Sequence, residues 1–79
     1  MRIEVEANAT GLGGRFRLVI GADKADEAAC NAGNSVSLRG RVKQGESEKP
    51  VVVEVKQGWL GTKYRLLVDG KEHPIQKVN

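Results

Sequence analysis

Residues 51–71 read VVVEVKQGWLGTKYRLLVDGK and contain the clearest strand and turn signals of the chain. In the first half, Val51, Val53 and Val55 lie on one face and alternate with Val52, Glu54 and Lys56, which is the two-residue period of a strand with one buried face. A second alternating run covers residues 64–68, and Asp69-Gly70 after it favours a type I′ turn between two antiparallel strands. Pro74 interrupts the strand that follows this turn, so we expect that strand at a sheet edge.

The same alternation recurs at residues 2–10, 15–22 and 35–43. The glycine-rich residues 11–14 separate the first two runs and are typical of a hairpin turn. Residues 23–33 differ, because four alanines recur there at helical spacing. We expect one short helix at this position, docked on the sheet, with an ordered loop as the alternative.

Together these signals predict a single β-rich domain over residues 1–79. We expect an all-β, mostly antiparallel meander of about six strands, with one short helix after the second strand. Because one face of the sheet is apolar, it must curl on itself, pair with a second sheet or dimerise, so a small barrel or a compact sandwich results. The small size favours a homo-oligomer, since Cys30 is the single cysteine and excludes an internal disulfide.

Basic side chains concentrate at the outward positions of the predicted strands. The chain has 13 Lys and Arg against 10 Asp and Glu, a net charge of +3. If the strands are neighbours in one sheet, the outward cations form a basic field that can hold phosphate groups. The alternative is a solvated face with cross-strand ion pairs. The outward cations are Arg15, Arg17, Arg39, Arg41, Lys43, Lys56, Lys63 and Arg65. The candidate nucleic-acid or anion-binding residues are Arg15, Arg17, Arg39, Arg41, Lys43 and Arg65.

Several apolar residues lie at positions where a solvent-exposed side chain is expected. Trp59 and Leu60 occupy a Gly-Trp-Leu-Gly loop, and other apolar residues lie at outward strand positions. Trp59 either folds back over the open end of the core or anchors a partner, since tryptophan is enriched at interface hot spots. The candidate protein-interface residues are Trp59, Leu60, Val19, Val52 and Leu67.

The sequence carries no catalytic or cofactor motif, and one Cys with one His cannot form the common zinc sites. Cys30 is predicted to be a small buried residue. The Asp69-Gly70 turn places His73 opposite Leu66, so we expect His73 to face the rim of the core. The glycines at 11–14 precede a strand rather than a helix, which disfavours a phosphate loop. We therefore expect no metal, no cofactor and no enzymatic activity.

The expected function is a non-catalytic binding module for a protein partner or a second copy of the chain, through an apolar patch that includes Trp59. The alternative is a small β-domain that binds nucleic acid or another polyanion through its arginine-rich strand face. No segment approaches the length of a membrane helix, and residues 1–6 alternate apolar with charged side chains. We therefore expect a cytoplasmic protein without membrane contact.

Overall fold

A computed structural model describes residues 3–10, 13–59, 61–75 and 77–78. It confirms the all-β, mostly antiparallel fold. The strands are β1 (Ile3–Thr10), β2 (Gly13–Ile20), β3 (Asp23–Asn31), β4 (Ser35–Gln44), β5 (Ser47–Gln57), β6 (Thr62–Val68), β7 (Lys71–His73) and β8 (Lys77–Val78). Within these ranges the structure contains no helix that could cross a membrane.

The strands form two four-stranded sheets, so of the two predicted architectures the structure is the compact sandwich and not the barrel. The first sheet has the order β3-β2-β1-β8 and the second has the order β4-β5-β6-β7. Consecutive strands within each sheet pair antiparallel, whereas β8 returns from the second sheet and pairs parallel with β1. The second sheet is therefore a meander of strands that are neighbours in sequence, and the first sheet is such a meander extended by the long-range pairing of β8 with β1.

The core lies between the inner faces of the two sheets and follows from the alternation in the sequence. In β2, Phe16 and Leu18 are buried while Arg15 and Arg17 are exposed. The rings of Phe16 and Tyr64, which belong to opposite sheets, pack in an edge-to-face arrangement with centroids 6.1 Å apart. Each large apolar side chain buried in this way contributes about 1.5–3 kcal/mol. The buried residues are Val5, Phe16, Leu18, Cys30, Leu38, Val42, Val51, Val53, Val55 and Leu66.

The helix predicted within residues 23–33 is wrong, because Asp23–Asn31 is strand β3 at the edge of the first sheet. Leu18 pairs with Asp26 while Val19 pairs with Lys24, so Ala25 is the extra residue of a β-bulge. The bulge interrupts the two-residue period and leaves the alanines at a spacing that resembles a helix. Pairing with β2 along the whole segment outweighs the weak helical preference of so short a run.

The corner between the two sheets is built by β3 and β4. The Asp26 carboxylate accepts one hydrogen bond from the Glu27 N–H at 2.8 Å and one from the Arg39 N–H at 2.9 Å. Beside it, a Cβ on Gly40 would lie only 2.8 Å from the Ala25 Cβ. The absence of a side chain on Gly40 therefore allows β3 and β4 to pack closely at this corner.

Both prolines lie where no ladder hydrogen bond is lost. β5 begins three residues before Pro50, and the Pro50 carbonyl accepts the Asp69 N–H at 2.8 Å. The edge of β5 on which Pro50 lacks an N–H therefore faces β6. The pairing of β5 with β6 ends at Val51 and Val68, one residue before Pro50 is reached. Pro74 follows β7 and separates it from β8, so the predicted last strand becomes two strands in different sheets.

The predicted hairpin at Asp69-Gly70 is confirmed. Asp69 has φ 53° and Gly70 has φ 77°, as a type I′ turn requires at both positions. Leu66 pairs with His73, as expected, and β7 is an edge strand. The side chain of His73 is exposed, so at this position opposite Leu66 the core does not cover it. β7 is only three residues long and lies beyond the buried part of the sheet.

Candidate functional site

The sandwich separates the predicted basic field into two surfaces. Arg15 and Arg17 project from β2 on the outer face of the first sheet. The other candidates project from β4 and β6 on the outer face of the second sheet. Because the outer faces of a sandwich point in opposite directions, the six candidate cations cannot contact one ligand together. The assumption that the predicted strands with outward cations are neighbours in one sheet is wrong.

On the first sheet, carboxylates already neutralise the arginines. Glu27 lies 3.7 Å from Arg15, 3.5 Å from Arg17 and 3.4 Å from Lys24, and Arg17 also contacts Glu6 at 3.3 Å. The hydrogen bond from Lys24 lowers the pKa of Glu27 below its ordinary value, and the charges of Arg17, Lys24 and Arg15 act in the same direction against a contrary effect of desolvation. This face consequently offers little free positive charge to an anionic ligand.

On the second sheet, the outward side chains of β4, β5 and β6 stand in cross-strand rows. From the β5–β6 turn towards the β4–β5 turn, the rows are Ser35–Lys56–Lys63, Ser37–Glu54–Arg65, Arg39–Val52–Leu67, Arg41–Pro50 and Lys43–Glu48. The third row extends to Glu72 on β7. These rows contain six basic and three acidic side chains, so the second sheet presents the more positive of the two outer faces.

Three ion pairs within and between these rows occupy their three carboxylates. Arg65 contacts Glu54 at 3.5 Å and Glu72 at 3.4 Å, and Arg41 contacts Glu48 at 3.5 Å. Four cations on this face have no carboxylate within ion-pair distance among the residues that the structure describes. They are Arg39, Lys43, Lys56 and Lys63.

Lys56 and Lys63 are the closest of these four, because they are direct cross-strand partners. Their Cβ atoms are therefore about 5 Å apart, and like charges in this arrangement destabilise a sheet. A shallow groove of about 430 Å³ runs over the first two rows and ends at Glu72. The sequence places both lysines outward, but it does not single them out as a pair. The register of β5 against β6 could have been derived from the sequence. Val55 and Tyr64 both face inward, and a connection of four residues, 58–61, places them opposite each other.

Trp59 lies in the turn at the same end of the second sheet and is 75% exposed. Its indole lies over Gly33, where an added Cβ would be 3.7 Å from the indole nitrogen. Gly33 has φ 85°, a conformation that favours glycine and leaves space for the ring. The alternative in which Trp59 folds back over the core is therefore wrong.

Hydrogen bonds hold the turn that presents Trp59. The Gly58 N–H donates to the Gly61 carbonyl at 2.8 Å, which closes the turn. The Gln57 N–H donates to Asn34 at 2.9 Å, and the Gly33 N–H donates to Gln57 at 2.7 Å, so the turn is tied to the β3–β4 connection. Trp59 thus extends from a fixed support, which lowers the entropy lost when a partner binds.

The other candidate interface residues do not join Trp59 in one patch. Val52 and Leu67 are cross-strand partners on the outer face of the second sheet, both half-buried. Val52 is five residues from Gln57, or about 17 Å along the strand. Val19 projects from the first sheet, on the opposite side of the sandwich. Leu60 lies outside the described residues.

Neither of the residues considered for chemistry belongs to a cluster. Cys30 is buried as a free thiol, as expected, and His73 is exposed on β7. The described ranges contain no group of three His, Cys, Asp or Glu side chains that could hold a metal ion. The chain matches no family model, and no curated protein or solved structure is similar to it at a significant level.

Proposed function

We propose that this protein is a non-catalytic binding module that contacts a partner protein through its tryptophan end. The tryptophan end consists of Trp59 and the adjacent row Ser35–Lys56–Lys63. The observation that carries the proposal is the 75% exposure of Trp59 on a hydrogen-bonded turn. Covering an indole that is exposed to this extent contributes about 4 kcal/mol before the costs of association. A side chain of this kind is the typical hot spot of an interface.

The charges around Trp59 favour a different protein over a second copy as the partner. A symmetric contact between two tryptophan ends would bring two Lys56–Lys63 pairs together, and like charges facing each other across an interface are unfavourable. A cytoplasmic location, with Cys30 as a buried free thiol, is part of the same proposal.

Peptide display on the immobilised protein tests the proposal without knowledge of the partner. A random peptide library is selected against the wild type, Trp59→Ala and the control Val19→Ala. We expect sequence families that are enriched on the wild type and on Val19→Ala but not on Trp59→Ala. If no enriched sequence depends on Trp59, the proposed function is wrong.

The oligomeric state is measured alongside, by size exclusion with light scattering on the wild type and on Trp59→Ala. We expect a monomer in both cases, because the charges oppose a symmetric contact. A wild-type dimer that Trp59→Ala dissociates would make a second copy the partner and would contradict the charge argument.

A second candidate function is polyanion binding on the outer face of the second sheet. The observation in its favour is the group of four cations, Arg39, Lys43, Lys56 and Lys63, that lack a carboxylate partner within the described ranges. Mobility shift against mixed DNA and RNA at two salt concentrations tests it, because phosphate contacts weaken steeply as salt rises. Lys56→Gln/Lys63→Gln should weaken binding, and the control Arg15→Gln/Arg17→Gln should not. Absence of binding at low salt removes this candidate.

A further inference from the structure

We infer that Lys56 and Lys63 form a carboxylate-binding subsite next to Trp59, so that the partner presents an acidic side chain beside its apolar contact. This inference rests on the proposed function and specifies the chemistry of the partner. It derives from three observations: the pairing of the lysines, the space beside them, and their distance from Trp59.

Within the described residues, neither Lys56 nor Lys63 has a carboxylate at ion-pair distance. Lys56 and Lys63 are direct cross-strand partners and both are exposed. The nearest carboxylates along the face, Glu54 and Glu72, are held by Arg65. A carboxylate placed between the two lysines would interact with both and would relieve their mutual repulsion.

The row also leaves room for such a group. Its third member is Ser35, and the next row begins with Ser37, so β4 contributes two short hydroxyl side chains instead of long ones. The resulting groove of about 430 Å³ exceeds the roughly 30 Å³ occupied by one water molecule more than tenfold. A side-chain carboxylate can therefore enter together with some of its hydration.

The distance to Trp59 sets the spacing expected in the partner. Lys56 and Trp59 are three positions apart, with Gln57 and Gly58 between them, so their Cα atoms are at most about 11 Å apart. In an extended peptide, residues two or three positions apart are about 7–10 Å apart. The apolar residue that covers Trp59 and the acidic residue that contacts the lysines should accordingly lie two or three positions apart.

The distribution of charge favours a discrete carboxylate over a nucleic-acid backbone. A continuous line of phosphates leaving the lysine pair would meet Glu54 in the next row and Glu72 beyond it. Single-strand binding also uses several aromatic platforms, and Trp59 is the one large apolar side chain that is exposed among the described residues.

The experiment extends the display selection to Lys56→Gln/Lys63→Gln, with Arg15→Gln/Arg17→Gln as the charge-matched control. We expect wild-type and control selections to enrich an acidic residue two or three positions from an apolar one. On Lys56→Gln/Lys63→Gln the apolar residue should persist and the acidic preference should disappear. Thermal unfolding checks that the lysine variant remains folded, as expected when a repulsion is removed.

One selected peptide and its Glu→Gln counterpart are then titrated by Trp59 fluorescence. On the wild type, the Glu→Gln change should weaken binding about three- to tenfold, the loss expected for two exposed ion pairs. On the lysine variant the same change should have no effect.

Two results would overturn the inference while leaving the proposed function intact. One is the selection of Trp59-dependent peptides that are not enriched in acidic residues. The other is an equal loss of affinity on the Glu→Gln change for the wild type and for Lys56→Gln/Lys63→Gln. If the selection yields no acidic peptides and a twelve-nucleotide oligo(dT) binds tightly in a manner that requires both lysines, the inference is overturned in favour of nucleic acid. Failure to select any Trp59-dependent peptide would instead overturn the proposed function.

Discussion

Replacing Gly40 with alanine tests the corner at which β3 and β4 join the two sheets. The new Cβ would lie 2.8 Å from the Ala25 Cβ and 2.8 Å from the Ile20 Cδ1. Carbon atoms in contact are normally about 3.5–4.0 Å apart, so both neighbours, or the backbone at residue 40, must move by about 1 Å. The Ile20 methyl can rotate away, whereas the Ala25 Cβ is fixed by the backbone of the bulge.

The expected cost follows from two opposing effects. Overpacking of this kind destabilises a protein by about 1–3 kcal/mol. Alanine in a strand recovers about 0.5–1 kcal/mol relative to glycine, because glycine loses more backbone entropy on folding. We therefore expect Gly40→Ala to lower the free energy of unfolding by about 1–2 kcal/mol, which corresponds to roughly 5–15 °C in Tm.

A second substitution makes the test specific for the predicted contact. Ala25→Gly removes the fixed methyl group, so Gly40→Ala should cost about 1 kcal/mol less in that background. Urea unfolding followed by far-UV circular dichroism measures all four members of the cycle. A Gly40→Ala protein as stable as the wild type, or an equal cost in both backgrounds, would show that Gly40 and Ala25 are not in contact.

Three further predictions address the corner, the first sheet and the tryptophan end. Asp26→Ala removes the acceptor of the Arg39 N–H and should lower the free energy of unfolding, measured in urea, by about 1–2 kcal/mol. Asp26→Asn keeps one side-chain oxygen and should cost less, so equal losses in the two variants would contradict the prediction. Because its neighbours lower the pKa of Glu27, this residue stabilises the fold above its ordinary pKa of 4.5, and the contribution is lost as pH falls through the folded-state value. Glu27→Gln should therefore flatten the dependence of Tm on pH below about 4.5, and an unchanged slope would argue against the ion-pair cluster. Trp59→Ala should change the free energy of unfolding by less than about 0.5 kcal/mol, because an exposed side chain contributes little to folding; a larger loss would mean that Trp59 packs on the core.

Local patterns were sufficient to predict most strands and the hairpins. The alternation of Phe16 and Leu18 with arginines specifies the faces of β2, and Asp69-Gly70 specifies the turn and register of β6 and β7. Both are interactions between near neighbours in sequence. The error at β3 has the same origin, since the bulge at Ala25 removes the local period from which a strand is recognised.

The division of the strands between two sheets could not be derived from such patterns. It depends on the contact of Asp26 with Arg39, thirteen residues away, and on the packing at Gly40. For the candidate site, the sequence correctly predicts that the arginines are exposed. Which of them share a face depends on the sheet that each strand joins, so the separation of Arg15 and Arg17 from the others was not foreseeable.

The parallel pairing of β8 with β1 has a consequence for the order in which the molecule assembles. Glu4 pairs with Lys77, so β1 gains its second neighbour only after the residues of β8, more than seventy positions later, have been synthesised. Each meander can form from strands adjacent along the polypeptide, whereas this last contact closes a loop of more than seventy residues and incurs the largest entropic cost in the fold. Until β8 docks, the backbone of β1 is an open edge that other chains can pair with, and docking then covers this edge at Glu4 and Val5.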